Sequence, residues 1–86
     1  MTIAKDPAKF VETEIDDEVV LMDLASGDFF SLAGTSLDVW RLIDGTRSEA
    51  QIVAELAADY GEPAERVAAD VTAFLGELRT AGLLAG

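Results

Sequence analysis

At 86 residues the chain has room for one domain with one modest core, and half of its residues are apolar, enough to fold despite a net charge of -11. It has no cysteine and no histidine. That excludes disulfides, thiol catalysis, thiolate metal sites and any Ser-His-Asp arrangement. So acidic a surface repels phosphate backbones and anionic lipid, which points to a basic or neutral peptide as partner, not to nucleic acid or a membrane.

The opening stretch MTIAKDPAKF lacks the apolar core of a signal peptide, and no run reaches membrane-spanning length, so a cytoplasmic protein is expected. Strands come first. Lys9 to Ile15 places Val11, Thr13 and Ile15 on one face and Phe10, Glu12 and Glu14 on the other. Asp16-Asp17 makes a turn. Glu18 to Leu24 alternates Val20, Met22 and Leu24 against Val19, Leu21 and Asp23. Ala25-Ser26-Gly27 turns the chain again, and Asp28 to Leu32 (DFFSL) makes a third strand. Short turns between short strands predict an antiparallel meander. The second strand is apolar on both faces, as a middle strand is, so the third lies at an edge.

The pentapeptide GTSLD, Gly34 to Asp38, opens the helical part. A serine before leucine in an acidic chain suggests a phosphopantetheine carrier with Ser36 as its attachment site. Carrier proteins, however, resemble all-helical domains with aspartate before the serine, and here that position is Thr35. Thr35 and Asp38 stand in capping-box spacing, so the Thr35 hydroxyl is expected to accept the Asp38 N–H and start a helix. Helix one is predicted over 36–44, ending at Gly45. Helix two runs over 49–60 after a second capping box, Ser48 with Gln51, and ends at Gly61. Helix three begins at Pro63 and ends near Gly82. Its stripe Val67, Val71, Phe74, Leu75, Leu78 has a period near 3.6. Leu83 and Leu84 are expected to fold back on the core. The order is βββααα, an α+β domain: a three-stranded antiparallel sheet followed by three helices.

Little in the sequence carries chemistry. The carboxylates are spread through the chain, no D-x-D-x-D-G calcium loop is present, and Gly27, Gly34 and Gly45 form no phosphate loop. No catalytic residue, metal or cofactor is expected. The DFFSL edge is the exception. Natural edge strands are blunted by lysine or proline, and this one has neither. Either helix three covers it, or it recruits an extended peptide as an added strand.

The stretch LMDLASGDFFSLAGTSLDVWRLIDGTRSEAQIVAELAADYG, followed by VAADVTAFLGELRTAGLL, resembles the PqqD family, small domains known as RiPP precursor peptide recognition elements. The resemblance covers nearly all of the chain beyond Glu18. It implies a winged helix-turn-helix-like domain over residues 1–86 without enzymatic activity. Members bind the leader segment of a ribosomally made precursor and present it to a modifying enzyme. Carried over by position, the peptide-binding wall on the strand is Asp28, Phe29, Phe30, Ser31 and Leu32. The wall on helix three is drawn from Val67, Asp70, Val71, Phe74 and Leu78. Among the pathways served, the plain DLASGDFFSL favours lasso peptides, with a cysteine-protease leader peptidase as partner. Pyrroloquinoline quinone biosynthesis is the alternative. DNA binding, the usual task of a winged helix-turn-helix, is disfavoured. Helix two has no basic residue, and helix three has only Arg66 and Arg79 beside Glu65, Asp70 and Glu77.

Overall fold

Strands β1 (Phe10–Ile15) and β2 (Glu18–Asp23) pair antiparallel across the Asp16-Asp17 turn. Asp16 sits at φ 51, a left-handed conformation that aspartate tolerates better than most residues. This is a computed structural model, and it describes residues 2–85. Strand β3 (Phe29–Leu32) pairs antiparallel with β2, giving the sheet order β1-β2-β3. The expected meander forms, with β3 at an edge.

Alternation sorts the sheet into two faces. Val19, Leu21, Asp23 and Leu32 are buried on the inner face, with Phe10 and Phe30 half-buried beside them. The outer face carries Val11, Val20, Met22 and Phe29, and Val11 is 47% and Phe29 70% exposed. Asp23 is the one buried charged residue among those described. Its Oδ1 accepts the Ala25 N–H at 2.9 Å, which holds the β2–β3 turn.

Helices α1 (Thr35–Leu42), α2 (Glu49–Tyr60) and α3 (Ala64–Ala81) follow and cover the inner face. Leu37, Val39, Trp40, Ile52, Leu56, Val67, Val71, Leu75 and Leu78 fill the core between them. Ser48 and Gln51 form the expected capping box on α2, and Gly61 and Gly82 close α2 and α3 in the left-handed conformation.

Three local expectations are corrected. The Thr35–Asp38 capping box does not form. Gly34 occupies the N-cap at φ 60, ψ -131, the Asp38 N–H donates to its carbonyl, and Thr35 is already helical. Glycine alone takes that backbone readily, so the chain enters the helix one residue early. Helix α1 ends at Ile43, not at a glycine. Ile43 turns extended to bury its side chain in the core, and Gly45 falls in the following loop. Pro63 is the N-cap of α3, just outside the helix.

Residues 3–5, which the sequence left without structure, are part of the fold. Ile3 enters the core, its N–H donates to the Arg47 carbonyl, and the Gly45 N–H donates to its carbonyl. Lys5 bridges to Leu84, and the Ala85 N–H donates to Ala4 O. Leu83 is fully buried, so the tail does fold back.

Candidate functional site

The hydrogen-bond phase of the sheet decides what β3 offers. The Asp23 N–H donates to Asp28 O at 2.8 Å, so Asp23 and Asp28 are a bonded pair. Bonded and non-bonded pairs alternate along an antiparallel ladder. In this register Leu21–Phe30 and Val19–Leu32 are therefore bonded, and Met22–Phe29 and Val20–Ser31 are not. The Leu24 N–H donating to Lys9 O fixes the same phase on the other side of β2. The N–H and C=O groups of Phe29 and Ser31 consequently point away from β2. Among the described residues no strand pairs with them. They present two donors and two acceptors to a further strand.

Inward of this edge a groove runs between β3 and α3. Its middle, of about 300 Å³, is walled by Phe30, Leu32, Phe74 and Leu78, with Ser36 and Glu77 at its margins. Towards the start of β3 it continues past Asp23, Asp28, Ala73, Gly76 and Thr80. Towards the start of α3 it continues past Thr35, Asp70 and Arg66 to Tyr60. Here the Tyr60 hydroxyl donates to Asp38, tying the end of α2 to the first turn of α1. Burial and that hydrogen bond push the tyrosine ionisation up to about 12.

The predicted residues fall into three groups. Asp28, Phe30, Leu32, Asp70, Phe74 and Leu78 line the groove, as does Val67 at its far end. Phe29 and Ser31 contribute their backbone to it, while their side chains lie on the outer face of the sheet. Val71 is fully buried and lines none of these cavities, so it belongs to the core. Lining residues that sequence reasoning left out include Asp23 on β2, Ser36 on α1, and Ala73 and Glu77 on α3. Their spacing carried the signal. On a helix, Asp70, Ala73, Phe74 and Glu77 share one face at i, i+3, i+4 and i+7, beside the buried stripe. Ser36 lies in a β-containing fold, on a groove wall.

No group of three His, Cys, Asp or Glu residues among those described is placed to hold a metal ion. No helix is long and apolar enough to cross a membrane.

Comparison with known proteins gives three results. The family model for coenzyme PQQ synthesis protein D (PqqD) matches residues 18–84. A PqqA binding protein from Gluconobacter oxydans (strain 621H) is 38% identical over 55 residues, covering 64% of this chain and 57% of that protein. The match thus spans little more than half of the relative's length. Among solved structures, TbiB1 in complex with the TbiA(beta) leader peptide is 32% identical with a TM-score of 0.82, covering 100% of this chain and 96% of that one. A lasso peptide synthetase B1 complexed with the leader peptide is 26% identical with a TM-score of 0.80, and each chain is covered in full.

Proposed function

The chain belongs to the PqqD family, and we propose that it binds the leader segment of a ribosomally made precursor peptide as a fourth strand beside β3. The outward-facing N–H and C=O groups of Phe29 and Ser31 carry this reading. They supply sequence-tolerant ladder bonds, and the groove walls of Phe30, Leu32, Phe74 and Leu78 supply pockets for alternate side chains. Residues 1–86 act as one non-catalytic domain in the cytoplasm, which holds the leader while another enzyme works on the rest of the precursor. Two leader-bound relatives that match this chain over its whole length support the peptide partner.

A lasso pathway, with a cysteine-protease leader peptidase as the enzyme served, is one reading, and the relative named as a lasso peptide synthetase B1 supports the pathway. A second reading rests on the relative named for PqqA: the leader is then a PqqA-type peptide on the way to pyrroloquinoline quinone. Titrating this chain with synthetic TbiA(beta) leader and synthetic PqqA separates the two.

The test of strand addition follows from the phase of the ladder. A labelled leader peptide from the neighbouring precursor gene is expected to bind at micromolar protein. In the free protein the amides of Phe30 and Leu32 are expected to exchange slowly and those of Phe29 and Ser31 fast. The peptide should slow the second pair. Ser31→Pro removes an outward donor without touching the β2–β3 bonds, and is expected to weaken binding about tenfold. Unchanged exchange at Phe29 and Ser31, or full affinity in Ser31→Pro, overturns the proposal.

A further inference from the structure

We propose that the groove selects a lysine or arginine at one defined position of its peptide, seated at the Asp28 end beside Glu77. The inference rests on the strand-addition reading and specifies the chemistry of one side chain in it. A strand added to β3 in the antiparallel sense sends every second side chain to the inner face, towards α3. Its residues opposite Leu32, Phe30 and Asp28 are the ones that enter the groove. The first two meet the apolar wall of Phe74 and Leu78. The third, four residues further along the peptide, meets carboxylates.

Asp28 and Glu77 are exposed at that end, and Asp23 lines it from beneath, in register with Asp28. Asp23 is only 6% exposed. Its Oδ1 takes the Ala25 N–H, and its Oδ2, on which no donor among the described residues is placed, stays open to solvent, since no fully buried side-chain oxygen there lacks a partner. A carboxylate oxygen that opens onto a groove from a nearly buried residue can accept a donor from outside. The chain does not supply it. The ion pairs among the described residues join Arg41 to Glu14 and Arg47 to Asp44 and Glu55, all away from this end. Arg66 lines the opposite end.

The three carboxylates are also too dispersed for a metal ion to be the missing partner. A long basic side chain suits the space better. Its methylene stem lies along Phe30 and Ala81, and its charged head reaches the carboxylates. A neutral or acidic residue at that position leaves Asp23 as it is and adds nothing against Asp28 and Glu77.

A random peptide library displayed on phage, panned on the full chain and on the Asp28→Asn/Glu77→Gln variant, tests this. Both substitutions are at exposed positions, and circular dichroism checks that the variant keeps the fold. Peptides enriched on the natural chain are expected to carry lysine or arginine four residues C-terminal to an apolar anchor. Replacing that residue by alanine in a selected synthetic peptide should lower affinity about fivefold on the natural chain, and by clearly less on the variant, which keeps only Asp23 of the three carboxylates. Enriched peptides with an apolar anchor but no basic preference overturn the inference and leave strand addition standing. A basic preference of undiminished strength in the variant also overturns it. If no peptide is enriched, strand addition falls and the inference with it.

Discussion

Tyr60 is the chain's one tyrosine, and its hydroxyl donates to Asp38 across the gap between α2 and α1. Burial first, and then this hydrogen bond, raise its ionisation from 10.0 to about 12. The neutral phenol is thus the form the fold favours. Its contribution is complete below pH 10 and is lost as the pH climbs towards 12. An ultraviolet absorbance titration reads this residue without interference from other tyrosines. The native chain should show its tyrosinate midpoint near 12, and Asp38→Asn should move it down. Trp40 makes a second residue-level case. It is 1% exposed, Phe10 meets it edge-on at 5.2 Å, Lys5 Nζ lies 4.1 Å from its ring centroid, and its Nε1 donates to Glu12 at 2.9 Å. Burial lowers the Lys5 ionisation, while Glu12 acts to raise it. Trp40→Phe keeps an aromatic core but loses the Glu12 bond and part of the stack. Chemical denaturation should show a loss of about 2 kcal/mol.

The helices start by two different devices, and substitutions should tell them apart. Helix α2 relies on side chains, so Ser48→Ala should cost about 1 kcal/mol. Helix α1 relies on the backbone of Gly34. A Cβ there would meet nothing within 4 Å, so Gly34→Ala tests conformation alone, and about 1–3 kcal/mol of destabilisation is expected. Thermal melts of the two variants provide the comparison. This contrast also shows what could be read in advance. The strands, their order, the capping box of α2 and the glycine ends of α2 and α3 were legible, because alternation and glycine punctuation are local. The start of α1 was not. Thr35 and Asp38 stand in capping-box spacing whether or not the preceding glycine takes over the role. The groove was legible in its strand half and in Asp70, Phe74 and Leu78. Glu77 and Ala73 were missed because a polar or small residue beside an apolar stripe looks the same whether it faces bulk water or a groove. The structured first residues were missed because Ile3 is a lone apolar residue whose burial depends on contacts with Gly45 and Arg47, far along the chain.

At the scale of the molecule, charge is the dominant surface property. A net charge of -11 on so small a body repels itself, and the three ion pairs among the described residues, all at least partly exposed, offset little of that. Raising sodium chloride from near zero to about 0.5 M shrinks the screening length to a few ångströms. The melting temperature is therefore expected to rise with salt, whereas binding of a lysine-containing peptide in the acidic groove should weaken. Opposite responses of folding and binding to one variable distinguish general repulsion from a local charge contact.

The hydrogen bond from the Ala85 N–H to Ala4 O brings residues distant in sequence to within 2.8 Å. The gene could therefore be circularly permuted. A short glycine linker would run from Ala85 back to the neighbourhood of Ala4, and new ends would open at the exposed Asp16-Asp17 turn. Strand β1 would then be made last and would close the sheet on the side of β2 away from the groove. Such a permutant should give the same circular dichroism spectrum as the parent and melt within a few degrees of it.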